Sequence, residues 1–194
     1  MNADPKEIGY MSEKDVLILV DEQDNETGSC EKVDCHLGDG KLHRAFSVFL
    51  FNPEGKVLIQ QRNENKMLWG GYWANSCCSH PRLGESTPDA AHRRIHEELG
   101  VECELKYLYK FVYHEKFGDI GSEHENCWVF AGKFEGRLQI NSEEISDWRF
   151  VTPDELTAEI AANGDIFSPW LKLEWEEIQA RFLDQIISPG PNHS

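Results

Sequence analysis

The segment Ser86-Thr-Pro-Asp-Ala-Ala-His-Arg-Arg-Ile-His-Glu-Glu-Leu-Gly100 constrains the fold more than any other stretch. Thr87 reads as its N-cap, Pro88 suits a first helical turn, and Gly100 suits the stop. Ala91, Ile95 and Leu99 recur every four residues, so the helix has one narrow apolar stripe. Such a helix must lay that stripe on another apolar surface. Strands supply it: Asp15–Asp21, Arg44–Phe51, Lys56–Arg62, Cys103–His114, Cys127–Phe134 and Trp148–Val151. The turn Asn52-Pro53-Glu54-Gly55 joins the second and third of these as a hairpin. Thr152-Pro153 opens a helix through Asn163. A last helix runs from Ser168 to Ile187, with Trp170, Leu171, Trp175, Ile178 and Phe182 on its apolar side. The polar stretch from Glu22 to Leu42 carries no periodic signal. No linker or repeat divides the chain, so the reading is one α/β (α+β) domain over 1–194. Its core spans about residues 15–187, with loose termini.

Charge excludes several partners. Nineteen Lys plus Arg against 35 Asp plus Glu leave a net charge of −16. A nucleic-acid surface needs clustered cations, and so does adhesion to an anionic membrane. The expectation is no nucleic acid, no membrane insertion, and a monomer or weak homo-oligomer. A small phosphorylated substrate remains open if a few cations converge. No apolar run approaches the ~18 residues of a membrane span. No export signal precedes the first strand, so the six cysteines read as reduced thiols in a cytoplasmic protein.

Some residues carry chemistry beyond folding. Arg94 and Glu98 share one helix face, and Arg93 and Glu97 another. Alone, these would be ion pairs worth tenths of a kcal/mol. His36 and His43 flank a Gly-rich turn, and His80 sits in Asn75-Ser-Cys-Cys-Ser-His-Pro81. Glu123 and Glu125 are two apart, so on a strand both carboxylates face one side. Three imidazoles and two carboxylates suit Mn²⁺, Mg²⁺ or Zn²⁺ with one place left for another ligand. Cys77 and Cys78 face opposite ways on a strand, so at most one enters a pocket.

From position 79 the chain reads Ser79-x5-Glu85-x7-Arg93-Arg94-Ile95-x-Glu97-Glu98-x-Gly100-Val101. This resembles the Nudix box, with Ser79 in place of its Gly and Arg94 in place of its first helix glutamate. Guanidinium there favours phosphate oxygens over a metal ion. Further matches are Glu31-Lys32-x3-His36, Leu42-His43-Arg44-Ala45-Phe46-Ser47, Trp73-x-Asn75-Ser76-x-Cys78-x-His80-Pro81, Glu123-x-Glu125 and Phe167-Ser168-Pro169-Trp170. In this order, over roughly residues 15–180, they resemble the type I isopentenyl-diphosphate isomerases. These are enzymes of Nudix fold, with mixed β-sheets sandwiched between α-helices.

The resemblance implies a role for each residue. His36, His43, His80, Glu123 and Glu125 would be the metal shell. Cys78 and Glu125 would be the two proton-transfer groups, with Tyr113 beside Glu125. Glu98 would help hold a second Mg²⁺ that arrives with the diphosphate. Lys32, Arg62, Lys66 and Arg94 would bind the diphosphate, and Trp170 would face the hydrocarbon. The implied reaction adds a proton to one end of an alkene and removes another beyond it, through a carbocation-like intermediate. Trp170, Trp73 and Tyr113 would place aromatic faces against that cation. A Nudix diphosphohydrolase and a non-catalytic metal or nucleotide sensor are the competing readings. Arg94 and the His/Glu cluster oppose the first, and the presence of both Cys78 and Glu125 opposes the second.

Overall fold

The computed structural model describes residues 16–188. The expectation of loose termini concerns residues outside these, apart from Ser188. Nine strands occur among the described residues: β1 Val16–Val20, β2 Glu26–Glu31, β3 His43–Phe51, β4 Val57–Arg62, β5 Trp73–Ala74, β6 Cys77–Ser79, β7 Leu105–Phe117, β8 Gly121–Lys133 and β9 Ile145–Val151. The helices are α1 Lys32–His36, α2 Thr87–Leu99, α3 Pro153–Asn163, α4 Pro169–Arg181 and α5 Leu183–Ile187.

The strands form one mixed sheet. β3 lies at its centre and runs parallel to β8, from His43 beside Glu125 to Phe51 beside Lys133. The other pairings are antiparallel. Alternation along β3 sorts the core into two faces. Phe46, Val48 and Leu50 pack with Ala91, Ile95 and Leu99 of α2. Phe49 and Phe51 pack with Leu156, Leu171, Trp175 and Ile178 of α3 and α4. Helices thus cover both faces, and the stripe expected on α2 is buried.

The expected hairpin survives only at its turn. β3 and β4 pair at Phe51 and Val57 and nowhere further along. β4 then pairs with β9 and β5, while β3 takes β6 and β8 as neighbours. The last residue of β4, Arg62, lines a cavity together with Cys78 and Ser79 of β6.

Other boundaries also differ from the sequence reading. Ser86, not Thr87, caps α2: its Oγ accepts from the Asp89 N–H at 3.3 Å, and Thr87 is buried. The stretch read as unstructured holds β2 and α1. β2 is an edge strand, exposed along nearly its whole length, so no apolar alternation marks it. β8 begins at Gly121 rather than Cys127, because its first half carries polar residues of the site. The last helix breaks at Phe182, whose ring stacks on Tyr109 at 5.5 Å. α3 starts as read, under a capping box between Thr152 and Glu155.

Gly100 ends α2 in the left-handed region at φ 66°. A Cβ there would come within 2.6 Å of the Gln139 Cβ. Gly100→Ala is expected to destabilise the protein by about 2 kcal/mol, lowering the melting temperature by about 6 °C. A melting temperature within 1 °C of wild type would show that the Gln139 turn yields freely.

Candidate active site and metal centre

Each histidine of the cluster is held by the fold before any ion is considered. α1 is one turn long and ends at His36, whose Nδ1–H donates to the Lys32 carbonyl at 2.6 Å. His43, fully buried at the start of β3, donates Nδ1–H to the Lys41 carbonyl at 2.7 Å. Both bonds leave Nε2 as the ring nitrogen that faces the two glutamates. His80 follows β6 and places Nε2 2.9 Å from Glu125 Oε1. The three ring centroids lie 4.7, 4.8 and 5.1 Å apart. On β8, Glu123 and Glu125 point to one side as the i, i+2 spacing requires. Glu123 pairs with His36 Nε2 at 3.0 Å, and Tyr113, opposite Glu125 in the β7–β8 hairpin, donates its hydroxyl to Glu125 Oε2 at 2.6 Å. One ligand atom from each of the five lies within 4.8 Å of all the others.

This set fits a divalent cation. Burial, and His36 beside it, push His43 down to about 3, so its imidazole is neutral with a lone pair available. Burial also pushes His80 well down. Burial and the neighbouring Glu123 carboxylate push Glu125 well up. The cluster is short of positive charge, and His43 Nε2 has no hydrogen-bond partner among the described residues. Glu123 and Glu125, buried together beside the neutral His43 imidazole, are stable once a cation joins them.

Beside the cluster lies a cavity whose walls are rich in cations: Lys32, Arg62, Lys66, Arg82 and Arg94. On a chain of net charge −16 this convergence is local and specific. Arg62, at the end of β4, is fixed by the carbonyls of Leu68 and Trp69, each at 3.1 Å. Its third contact is Cys78 Sγ at 3.4 Å, and it lies over the Trp170 ring, 5.1 Å from the centroid. Trp170 opens α4 and is locked by Nε1–H to Asn75 Oδ1 at 3.1 Å. Cys78 and Tyr113 share the cavity wall with Glu123 and Glu125. Burial pushes the Cys78 thiol up to about 12, with Arg62 opposing, so it carries its proton at neutral pH.

The neighbouring cysteines divide as the strand alternation demands. Cys77 is buried in the α2 core, and Cys78 packs against a third, separate cluster that holds Trp170 and Tyr113. All six cysteines are free. Ser79, the departure at the Nudix glycine position, lies in extended β6 opposite Phe46, where a side chain is tolerated. Glu98 stands behind the cavity wall, paired with Arg94 at 2.5 Å and with Gln60 Nε2 at 3.5 Å.

One expected aromatic is not in the cavity wall. Trp73 packs in the α4 core, under the Arg149 guanidinium at 4.6 Å. Sequence reasoning also missed Arg82 and Glu144. Glu144 lines the cavity and joins Lys66 to Arg94. Nothing in Ser142-Glu-Glu-Ile145 separates it from exposed Glu143. Among the described residues no helix is long and apolar enough to cross a membrane.

Comparison with known proteins agrees with this arrangement. The family model for the NUDIX domain matches residues 41–171. A protein of Photorhabdus laumondii named isopentenyl-diphosphate Delta-isomerase 1 is 44% identical over 172 residues, covering 88% of this chain and 98% of the relative. Isopentenyl-diphosphate Delta-isomerase 2 of Aromatoleum aromaticum is 43% identical over 175 residues, covering 90% and 88%. In fold, a crystal structure from Deinococcus radiodurans superposes with a TM-score of 0.67 at 24% identity, covering 89% of this chain and 99% of that one. The chain belongs to the Nudix family and, within it, to the isopentenyl-diphosphate Delta-isomerases.

Proposed function

We propose that the protein interconverts isopentenyl diphosphate and dimethylallyl diphosphate, with Cys78 and Glu125 as its two proton-transfer groups. The observation that carries this reading is their presence in one cavity with an aromatic ring and converging cations. No electrons enter or leave. The terminal alkene carbon gains one proton, carbon two loses another, and the double bond moves between them. Cys78 holds a proton on Sγ, and Glu125 has a carboxylate oxygen hydrogen-bonded to the Tyr113 hydroxyl. Together they act as acid and base on the same five-carbon unit.

The Trp170 ring already accepts the Arg62 cation in the structure. Its π-face would likewise stabilise positive charge on the substrate, by up to ~2 kcal/mol when dry. Lys32, Arg62, Lys66 and Arg94 would hold the diphosphate. Arg94 Nε–H, buried and without an acceptor among the described residues, has a donor to spare for a phosphate oxygen. Binding energy spent there, away from the reacting carbons, positions the alkene.

His36, His43, His80, Glu123 and Glu125 would hold Mn²⁺, Mg²⁺ or Zn²⁺, which would supply fixed positive charge beside Glu125. Glu98 would help hold the Mg²⁺ that accompanies the diphosphate. The free thiols, with Cys78 in the cavity, favour a reducing, cytoplasmic setting.

Proton NMR in D₂O with Mg²⁺ and isopentenyl diphosphate tests the reaction. The dimethylallyl isomer should appear with deuterium incorporated. An unchanged substrate spectrum with metal-loaded protein overturns the reading, and released phosphate would favour a hydrolase. Arg94→Glu restores the Nudix glutamate and places a fourth carboxylate among Glu97, Glu98 and Glu144. Affinity for inorganic pyrophosphate, by calorimetry, should fall about 100-fold. Unchanged affinity would remove Arg94 from the site.

A further inference from the structure

Two of the cations expected to hold the diphosphate are not independent. Lys66 lies in the loop after β4, and Arg94 lies on α2. One Glu144 carboxylate bridges them: Oε2 takes the Lys66 ammonium, and Oε1 takes Arg94 at 3.0 Å. All three side chains line the same cavity.

The backbone around Glu144 is fastened to both elements. The Asn141 N–H donates to the Glu98 carbonyl of α2 at 2.9 Å, and the Gln139 N–H to that of Leu99 at 2.8 Å. On the other side, the Asn63 N–H donates to the Glu144 carbonyl at 2.9 Å. Asn63 Nδ2 also donates to the Ser142 carbonyl at 2.8 Å. The 139–144 turn is therefore a clamp between the helix that carries Arg94 and the loop that carries Lys66, and Ile145 next to it is buried. Burial alone would raise the Glu144 carboxyl, but Lys66 and Arg94 outweigh it and hold it at about 2. It is a fixed anion at any physiological pH.

Resting on the isomerase reading above, we infer that Glu144 is a positioning residue, whose carboxylate sets Lys66 and Arg94 in place for the diphosphate before it arrives. A free lysine loses much rotamer freedom on ordering. Tethering it in advance removes that loss from the binding step. Arg94 has a competing pull towards Glu97 and Glu98 on its own helix, at 2.8 and 2.5 Å. Glu144, in contrast, lies off α2, on the 139–144 turn. It acts through the two cations, not on the reacting carbons.

The test is calorimetric titration of inorganic pyrophosphate with Mg²⁺, together with steady-state isomerase kinetics. It compares wild type, Glu144→Gln, Glu144→Asp and the exposed neighbour variant Glu143→Gln. Glu144→Gln should raise both the pyrophosphate Kd and KM about tenfold and leave kcat within about twofold. Glu144→Asp keeps the charge and should recover part of the loss. Glu143→Gln should match wild type. Equal binding by Glu144→Gln and wild type overturns the inference and leaves the isomerase reading intact. Tighter binding also overturns it, because Glu144 would then compete with phosphate. A fall in kcat with KM unchanged overturns it by moving Glu144 into the chemistry, and an equal loss in Glu143→Gln reduces the effect to long-range charge. Wild type that neither binds pyrophosphate nor isomerises overturns the isomerase reading, and this inference with it.

Discussion

Cys78→Ala should lower isomerase turnover at least about 1,000-fold while leaving pyrophosphate affinity and bound metal unchanged. General acid–base groups contribute about 10²–10⁴-fold, and this thiol faces a substrate that is a very weak base. The side chain lies on the cavity wall, touched by Arg62 at 3.4 Å. Removing Sγ leaves the Arg62 bonds to Leu68 and Trp69 in place, so anchoring of the diphosphate survives. Cys77→Ala gives the opposite pattern. Its sulfur is fully buried against α2, so its loss should destabilise by about 1–2 kcal/mol and lower the melting temperature by about 4 °C. Turnover should stay within about twofold of wild type. Comparable loss of turnover in both variants would undo the assignment between the neighbours. Near-normal turnover in Cys78→Ala would remove the thiol from the chemistry.

Strand alternation alone allowed at most one of the two cysteines into the pocket, and only the family resemblance chose Cys78. The same arithmetic put Glu123 and Glu125 on one face of a strand, and they converge there. The stripe on α2 and the start of α3 were equally legible, because burial and capping leave local signatures. What escaped the sequence has non-local causes. β2 is held by backbone pairing to β1 at an exposed edge, which side-chain pattern does not record. The first half of β8 looks like a loop because its inward positions are carboxylates rather than apolar residues. Trp73 carried the composition of a cavity aromatic, but β5 and its bridge to Phe167 turn it into the α4 core. Glu144 is positioned by hydrogen bonds from Asn63, far away in sequence, and no local spacing encodes them.

The same non-local convergence would make a metal ion bound by the His/Glu cluster a stability element as well as a part of the proposed chemistry. His36, His43 and His80 come from α1, β3 and the end of β6, and the two glutamates from β8. An ion bound by all five ties four separate parts of the chain together in the folded state only. Without it, Glu123 and Glu125 face each other in a buried setting, and burial and Glu123 push Glu125 well up. Binding to the folded state alone stabilises by about 4 kcal/mol when free metal exceeds Kd 1,000-fold. For a chain of this size, removing the metal with a chelator should lower the melting temperature by about 10 °C and abolish isomerisation. Returning Mn²⁺, Mg²⁺ or Zn²⁺ should restore both, and elemental analysis should find one tightly held ion per chain before the substrate's own Mg²⁺ is added. His43→Ala removes a fully buried ligand and should lower that occupancy at least about tenfold. Full metal content in His43→Ala would take that histidine out of the shell. An unchanged melting temperature after chelation, with no ion found in the untreated protein, would mean that the five side chains form a buried polar cluster and not a metal centre.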